Sequence, residues 1–284
     1  MQYCVEICQL TKRYDQFTAV DALSLTIPTG CICALLGPNG AGKTTTIKLL
    51  MGMLQPTGGE LRVCGLDAFR DSVEVKARVG YLPDEPAFYD FMRGHEIIRF
   101  AGEMHGLDRQ TIQRRATQLA ERLQLSDALG EFAENYSRGM KKKLGLICAS
   151  LHEPSLLVLD EPTNGLDPQG TAVLHALMRE TAAAGRTVLF STHLLDQAER
   201  LCDRVAVMNQ GRIAGQGTLA ELRQQFGTEA SLEALFFQLT GGDARTPIPP
   251  VAQLRAGEDF RCGVPNRFLQ ASTDDVADTV LSVR

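Results

Sequence analysis

The segment GPNGAGKTT, residues 37–45, holds the residue types that a polyphosphate needs. It fits GxxxxGK[ST] and stands between a near-continuous apolar run, CICALLG, and a helically spaced stretch, TTTIKLLMGML. Gly37, Gly40 and Gly42, with Pro38, Asn39 and Ala41 between them, make a loop whose successive N–H groups can turn inward around phosphates at a positive helix end. Lys43 adds a point charge for the β- and γ-phosphates, Thr44 a hydroxyl for Mg²⁺, and Thr45 closes the motif. A second pattern is SLLVLDEP, residues 155–162, where a buried strand ends on two acids. Paired with the phosphate loop, Asp160 reads as the magnesium-side carboxylate and Glu161 as the group that orients and deprotonates an attacking water. Alone, two acids after an apolar strand are more often a helix-starting pair.

These groups need a frame, and the patterning supplies one. The first thirty residues alternate apolar and polar, as in VEICQL and ALSLTIP, which predicts a hairpin or meander. LRVCG and VGYL read as further short strands. Residues 94–152 change to three- and four-residue spacing in GHEIIRFAGEMHG, RQTIQRRATQLAERLQL and GMKKKLGLICASLHE, which predicts helices. SLLVLD, TVLFSTH and RVAVM then alternate with the helical stretches PQGTAVLHALMRETAAAG and HLLDQAERLC, and RIAGQG pairs with RVAVM before the helix TLAELRQQF. The prediction is an α/β fold: a mainly parallel sheet, an N-terminal antiparallel β subdomain and an α-helical subdomain inserted at about 90–152. Residues 1–240 form the main domain. The last 44 residues hold four of the twelve prolines and read as a weakly structured extension or a small appended module, 241–284.

Composition removes other classes. Hydrophobic residues at 44% and charged residues at 22% are ordinary globular usage, and the net charge of −5 argues against bulk electrostatic binding of nucleic acid. No apolar run approaches a bilayer span, and the start MQYCVEICQL lacks the basic and apolar regions of a signal peptide, so the chain reads as soluble and intracellular. None of the eight cysteines forms a CxxC pair; they read as small buried hydrophobes, with Cys31 and Cys33 on one side of their strand.

With YSRGM, GLDP and THLLDQAE following in order, residues 1 to about 240 resemble an ATP-binding-cassette nucleotide-binding domain, a P-loop NTPase core. The resemblance implies ATP and Mg²⁺ as cofactors and adds roles residue by residue. Ser137 and Gly139, in the segment usually written LSGGQ, would face the γ-phosphate held by another subunit. Their own chemistry is a capping hydroxyl and an unhindered N–H at a helix start. His193 would contact the γ-phosphate and the attacking water, Asp167 would cross a dimer interface, and Tyr14 would stack on adenine. Without the resemblance these read as a structural histidine, a turn before a helix-starting proline and a strand-end tyrosine.

Three positions depart from the family. Asp84, in VGYLPDEP, stands where the family has a glutamine, and Arg138 and Met140 replace a glycine and a glutamine. An aspartate can still offer oxygen to magnesium or water, but it adds negative charge near a triphosphate. YLPDEP with YSRGMKKKL resembles the ATPase subunits of ABC-2 exporter-type systems, whose permease is a separate chain.

The resemblance implies two copies packed head to tail, each ATP between Lys43 of one and Ser137 of the other. A homologous or identical second nucleotide-binding subunit and an integral membrane permease are the implied partners, with the chain peripheral on the cytoplasmic face of the membrane and no nucleic acid bound. FMRGHEIIRF and the segment around Asp84 are the candidate permease contact. The alternative is a soluble ATP switch acting in translation or DNA maintenance, though the 92 residues between Thr44 and Ser137 leave no room for the long coiled-coil arm of such relatives. A P-loop small-molecule kinase would lack YSRGM, GLDP and STH.

Overall fold

The computed structural model describes residues 2–226 and 231–241, so the extension expected at 241–284 lies almost wholly outside the described residues. The alternating start forms a hairpin, β1 (Tyr3–Tyr14) against β2 (Phe17–Pro28), turning at Asp15 and Gln16. With β4 (Gly58–Val63) and β5 (Leu66–Asp67) it makes an antiparallel sheet in the order β2-β1-β4-β5.

The second sheet has six strands. Besides β3 (Ile32–Leu36) it contains β6 (Val79–Leu82), β7 (Leu156–Leu159), β8 (Thr187–Thr192), β9 (Arg204–Asn209) and β10 (Arg212–Gly217). Their order is β10-β9-β3-β8-β7-β6, every pairing parallel except the closing β9–β10 hairpin. The continuous apolar runs are explained by burial on both faces. On β3, Ile32, Ala34 and Leu36 join the core beneath the helices, whereas Cys33 and Leu35 join the core shared with the antiparallel sheet. β7 and β8 alternate the same way: Leu157, Leu159 and Phe190 face one core, Val158 and Leu189 the other.

The helices are α1 (Lys43–Leu50), α2 (Ser72–Arg78), α3 (Gly94–Met104), α4 (Arg109–Arg122), α5 (Arg138–Ser150), α6 (Pro168–Ala183), α7 (Leu195–Leu201), α8 (Leu219–Phe226) and α9 (Leu232–Gly241). α3, α4 and α5 occupy the stretch read as helical. Patterning did not flag α2 or α9, both short and without a clean apolar stripe. Cys31 and Cys33 do share a face, and burial pushes the thiols of Cys148 and Cys202 up to about 12. Among the described residues no helix is long and apolar enough to cross a membrane.

One packing detail has a pH signature. His152, just after α5, stacks on His105, which caps α3, with ring centroids 3.6 Å apart. Burial first, and then the neighbouring His105, push His152 down from 6.5 to about 4. A depressed histidine favours the neutral folded state, so its contribution is complete above pH 6.5 and is lost as pH falls towards 4. His152→Phe keeps a stacking ring without a titration; its melting temperature should therefore fall less steeply than wild type between those pH values.

Candidate active site

The carboxyl ends of parallel strands are where an α/β sheet gathers ligand groups, and three strand ends meet here. β3 runs into the 37–45 loop, β7 into Asp160 and Glu161, and β8 into His193. Gly40 and Gly42 have φ of 80° and 103°, in the left-handed region. A β-carbon on Gly37 would lie 2.4 Å from the Met208 carbonyl oxygen, so the loop turns against β9 only as glycine.

Lys43 opens α1 and is 7% exposed. Its Nζ donates to the carbonyls of Gly37 at 2.7 Å and Pro38 at 3.2 Å, and stands 3.8 Å from Glu161 Oε1. Burial lowers its pKa, and the Glu161 and Asp160 charges pull it back up. Asn39, Gly40, Ala41, Gly42, Lys43, Thr44, Thr45, Asp84 and Glu161 together line a cavity of about 200 Å³.

The two carboxylates are set differently. Asp160 is 2% exposed, and its Oδ1 accepts from Ser191 Oγ at 2.5 Å. Ser191 Oγ in turn accepts the Glu161 N–H at 2.9 Å. This holds Glu161 at φ 43°, an uncommon angle for a residue with a side chain, and turns its carboxylate towards the cavity. Glu161 Oε2 lies 2.9 Å from His193 Nδ1. A carboxylate held between an ammonium and an imidazole can take a proton from a water and hand charge to a neighbour.

A second group of predicted residues sits apart from that cavity. Ser137 caps α5, its Oγ accepting from the Met140 N–H at 3.2 Å. Asp167 caps α6, accepting from the Gly170 N–H at 2.5 Å and from Lys143 Nζ at 2.9 Å, and these two bonds hold its carboxyl below the usual range. A β-carbon on Gly139 would come 2.6 Å from the Gly165 carbonyl, so the start of α5 packs directly on the turn before α6. Tyr14 ends β1 at the hairpin tip, 42% exposed, with Lys12 Nζ 4.9 Å from its ring centroid. None of these four residues lines the cavity around Lys43.

A family model described as ABC transporter matches residues 20–164, just over half of the chain, and spans the phosphate loop, the Ser137 segment and the two acids. The chain belongs to the ABC transporter family. The ABC transporter ATP-binding protein YxlF of Bacillus subtilis (strain 168) is 41% identical over 221 residues, covering 78% of this chain and 73% of that one. Nod factor export ATP-binding protein I of Ralstonia nicotianae is 38% identical over 294 residues, covering 94% and 90%. A solved ATP-binding subunit of an ABC transporter superposes with a TM-score of 0.80 at 34% identity, over 83% of this chain and 99% of that one. The protein is thus an ATP-binding ABC subunit and an ATPase.

Three polar residues at the centre of this ABC ATPase escaped the motif reading. Ser191 donates to the Asp160 carboxylate and accepts the Glu161 backbone N–H; it lies in the STH segment, so the signal was adjacent to His193. Asn164 donates to Asp84 Oδ1 at 3.2 Å. Lys142, the middle of three consecutive lysines, is 1% exposed. A run of three lysines carries no apolar phase that would mark Lys142 as buried.

Proposed function

We propose that the chain is the ATP-hydrolysing subunit of an ABC exporter whose permease is a separate chain, and that it works as a head-to-tail pair. The observation that carries this reading is the separation of the two half-sites. The phosphate loop, Asp160, Glu161 and His193 gather at one set of strand ends, while Ser137, Gly139 and Asp167 stand at the starts of α5 and α6, which pack on each other through Gly139 and Gly165 and through Lys143 and Asp167. A second subunit supplying the Ser137 group completes the site with donors at a positive helix end.

Within one subunit Lys43 and the loop N–H groups hold the β- and γ-phosphates, and Tyr14 stacks on adenine. Thr44 and Asp160 offer the hard oxygen donors that magnesium prefers, and magnesium bound this way supplies charge neutralisation of the phosphates. Among the described residues no three His, Cys, Asp or Glu side chains cluster to hold a metal, which fits an ion shared with the nucleotide. Glu161 takes the proton of the attacking water, with His193 Nδ1 steadying its carboxylate. The bound nucleotide joins the pair, and its loss lets the pair part.

The membrane contact falls on the loop before α3 and on α3. Tyr89 and Phe91 are 72% and 83% exposed, and Phe100 and Met104, one turn apart on α3, are also exposed. Export is supported by the Nod factor export relative, which matches over 94% of this chain, together with the YLPDEP and YSRGM segments. Peripheral attachment at the cytoplasmic face follows from that contact.

Two measurements test the proposal. Tagged chain purified from detergent-solubilised membranes of its host should carry an integral membrane protein in near-equal amount; recovery without one defeats the transporter reading in favour of a soluble switch. Ser137→Arg in a Glu161→Gln background should abolish ATP-dependent dimerisation measured by light scattering, because a bulky cation replaces the cap where the partner's phosphate docks. A dimer of unchanged affinity sinks the composite site.

A further inference from the structure

Asp84 lies on the wall of the phosphate-side cavity, where a carboxylate adds repulsion towards a polyphosphate. The structure supplies a counter-charge from behind it. Lys142, on α5, is almost wholly buried, and its Nζ lies 2.7 Å from the Asp84 carbonyl oxygen and 3.4 Å from Asp84 Oδ1. The same Nζ lies 3.3 Å from the carbonyls of Pro83 and Asp160. Asp84 Oδ1 also accepts from Asn164 Nδ2, and Arg138 Nη2 stands 3.8 Å from it while reaching Glu85 Oε1 at 3.3 Å.

A buried ammonium is costly unless its donors are met, and truncating one partner of such a pair leaves the other uncompensated. Here the donors are met by oxygens from two segments: Pro83 and Asp84, which follow β6, and Asp160, which follows β7. Both are held to the helix whose first turn carries Ser137. Asp84 Oδ1 is committed to Lys142 and Asn164, which ties this carboxylate to α5 and to the turn before α6.

We infer that Asp84 and Lys142 form an ionic latch that fixes the end of β7, and with it Asp160 and Glu161, against the Ser137 helix, so that Asp84 is a positioning residue and not a magnesium ligand. Lys142 lets this chain carry an aspartate where its family has a glutamine. The inference rests on the reading of Lys43, Asp160 and Glu161 as the hydrolytic groups.

The test uses the full-length chain as wild type, Asp84→Asn, Lys142→Met, the double variant and Lys142→Arg, with ATPase rates titrated against ATP and against Mg²⁺. Lys142→Met should lower kcat about tenfold while KM for ATP changes less than about threefold, and Lys142→Arg should recover much of the rate. Asp84→Asn should lower kcat about threefold or more in wild type but less than about twofold once Lys142 is Met. The Mg²⁺ concentration for half-maximal rate should stay within about twofold throughout. A roughly tenfold rise in that concentration in Asp84→Asn, in either lysine background, makes Asp84 a direct ligand and overturns the latch. Equal effects of Asp84→Asn on kcat in both backgrounds also overturn it. If Lys142→Met does not fold, the Mg²⁺ titration of Asp84→Asn alone, a half-exposed site, still decides the matter. Lys43→Ala separates the two failures: full activity there defeats the reading of the hydrolytic groups, whereas lost ATP binding leaves that reading standing and the latch judged on its own coupling.

Discussion

Glu161→Gln should bind ATP as wild type does and hydrolyse it about 10²–10⁴-fold more slowly, the range typical of losing a positioned general base. The substitution preserves volume, the backbone bond from the Glu161 N–H to Ser191 Oγ, and a hydrogen-bonding atom for His193 Nδ1. It removes the one property glutamine lacks, the ability to take a proton. Lys43 keeps its two carbonyl bonds within the loop, so phosphate binding loses only a neighbouring charge at 3.8 Å. Fluorescent-nucleotide titration and phosphate release, read on the same preparation, separate the two steps. Hydrolysis at the wild-type rate would remove Glu161 from the role of base and shift it to His193 or the substrate's own phosphate.

The second large effect is on stability and comes from a residue with no chemistry. Gly80, inside edge strand β6, faces α5 so closely that a β-carbon there would sit 1.9 Å from the Ala149 carbonyl oxygen and 2.9 Å from Pro154 Cγ. The first obstacle is backbone and cannot rotate away, so Gly80→Ala must push β6 and α5 apart. Overpacking of this kind costs about 3 kcal/mol at the upper end of its usual range. For a chain of this size that lowers Tm by roughly 6–12 °C. Asp84 follows β6 and Lys142 rides on α5, so the surviving folded protein should also lose ATPase rate. Scanning calorimetry with a parallel rate measurement checks both, and an unchanged Tm would show that the close approach is not rigid.

Legibility in the sequence followed the strength of each physical signal. β3, β7 and β8 are buried on two faces, so their apolar runs could be read without any partner in view. The phosphate loop was legible because its glycines answer backbone demands that the structure then shows as positive φ and as contact with Met208. Asp160 and Glu161 were legible as a pair with separate expected roles; the hydroxyl that positions them was not, because Ser191 arrives from a strand 30 residues later. Lys142 was illegible for the same reason: a buried ammonium is justified only by carbonyls from Pro83, Asp84 and Asp160, which local spacing cannot bring together. The helix α9 was missed because LEALFFQLTG is apolar nearly all round, with Leu232 and Leu235 buried but Phe237 60% exposed.

The lock between the starts of α5 and α6, made by Lys143 on Asp167 and by Gly139 on Gly165, makes one chain carry two halves that never serve the same nucleotide in the proposed pair. Two inactive variants can therefore restore each other. A chain broken at Lys43 keeps a sound Ser137 face, and a chain broken at Ser137 keeps a sound phosphate loop. Mixed in equal amounts with free exchange, half of the dimers are hybrids, and each hybrid has one site built wholly from intact halves and one built wholly from damaged ones. About a quarter of all sites should then be whole, from a mixture in which neither component has any. Genetically, lesions at Lys43 and at Ser137 would behave as complementing alleles of a single gene.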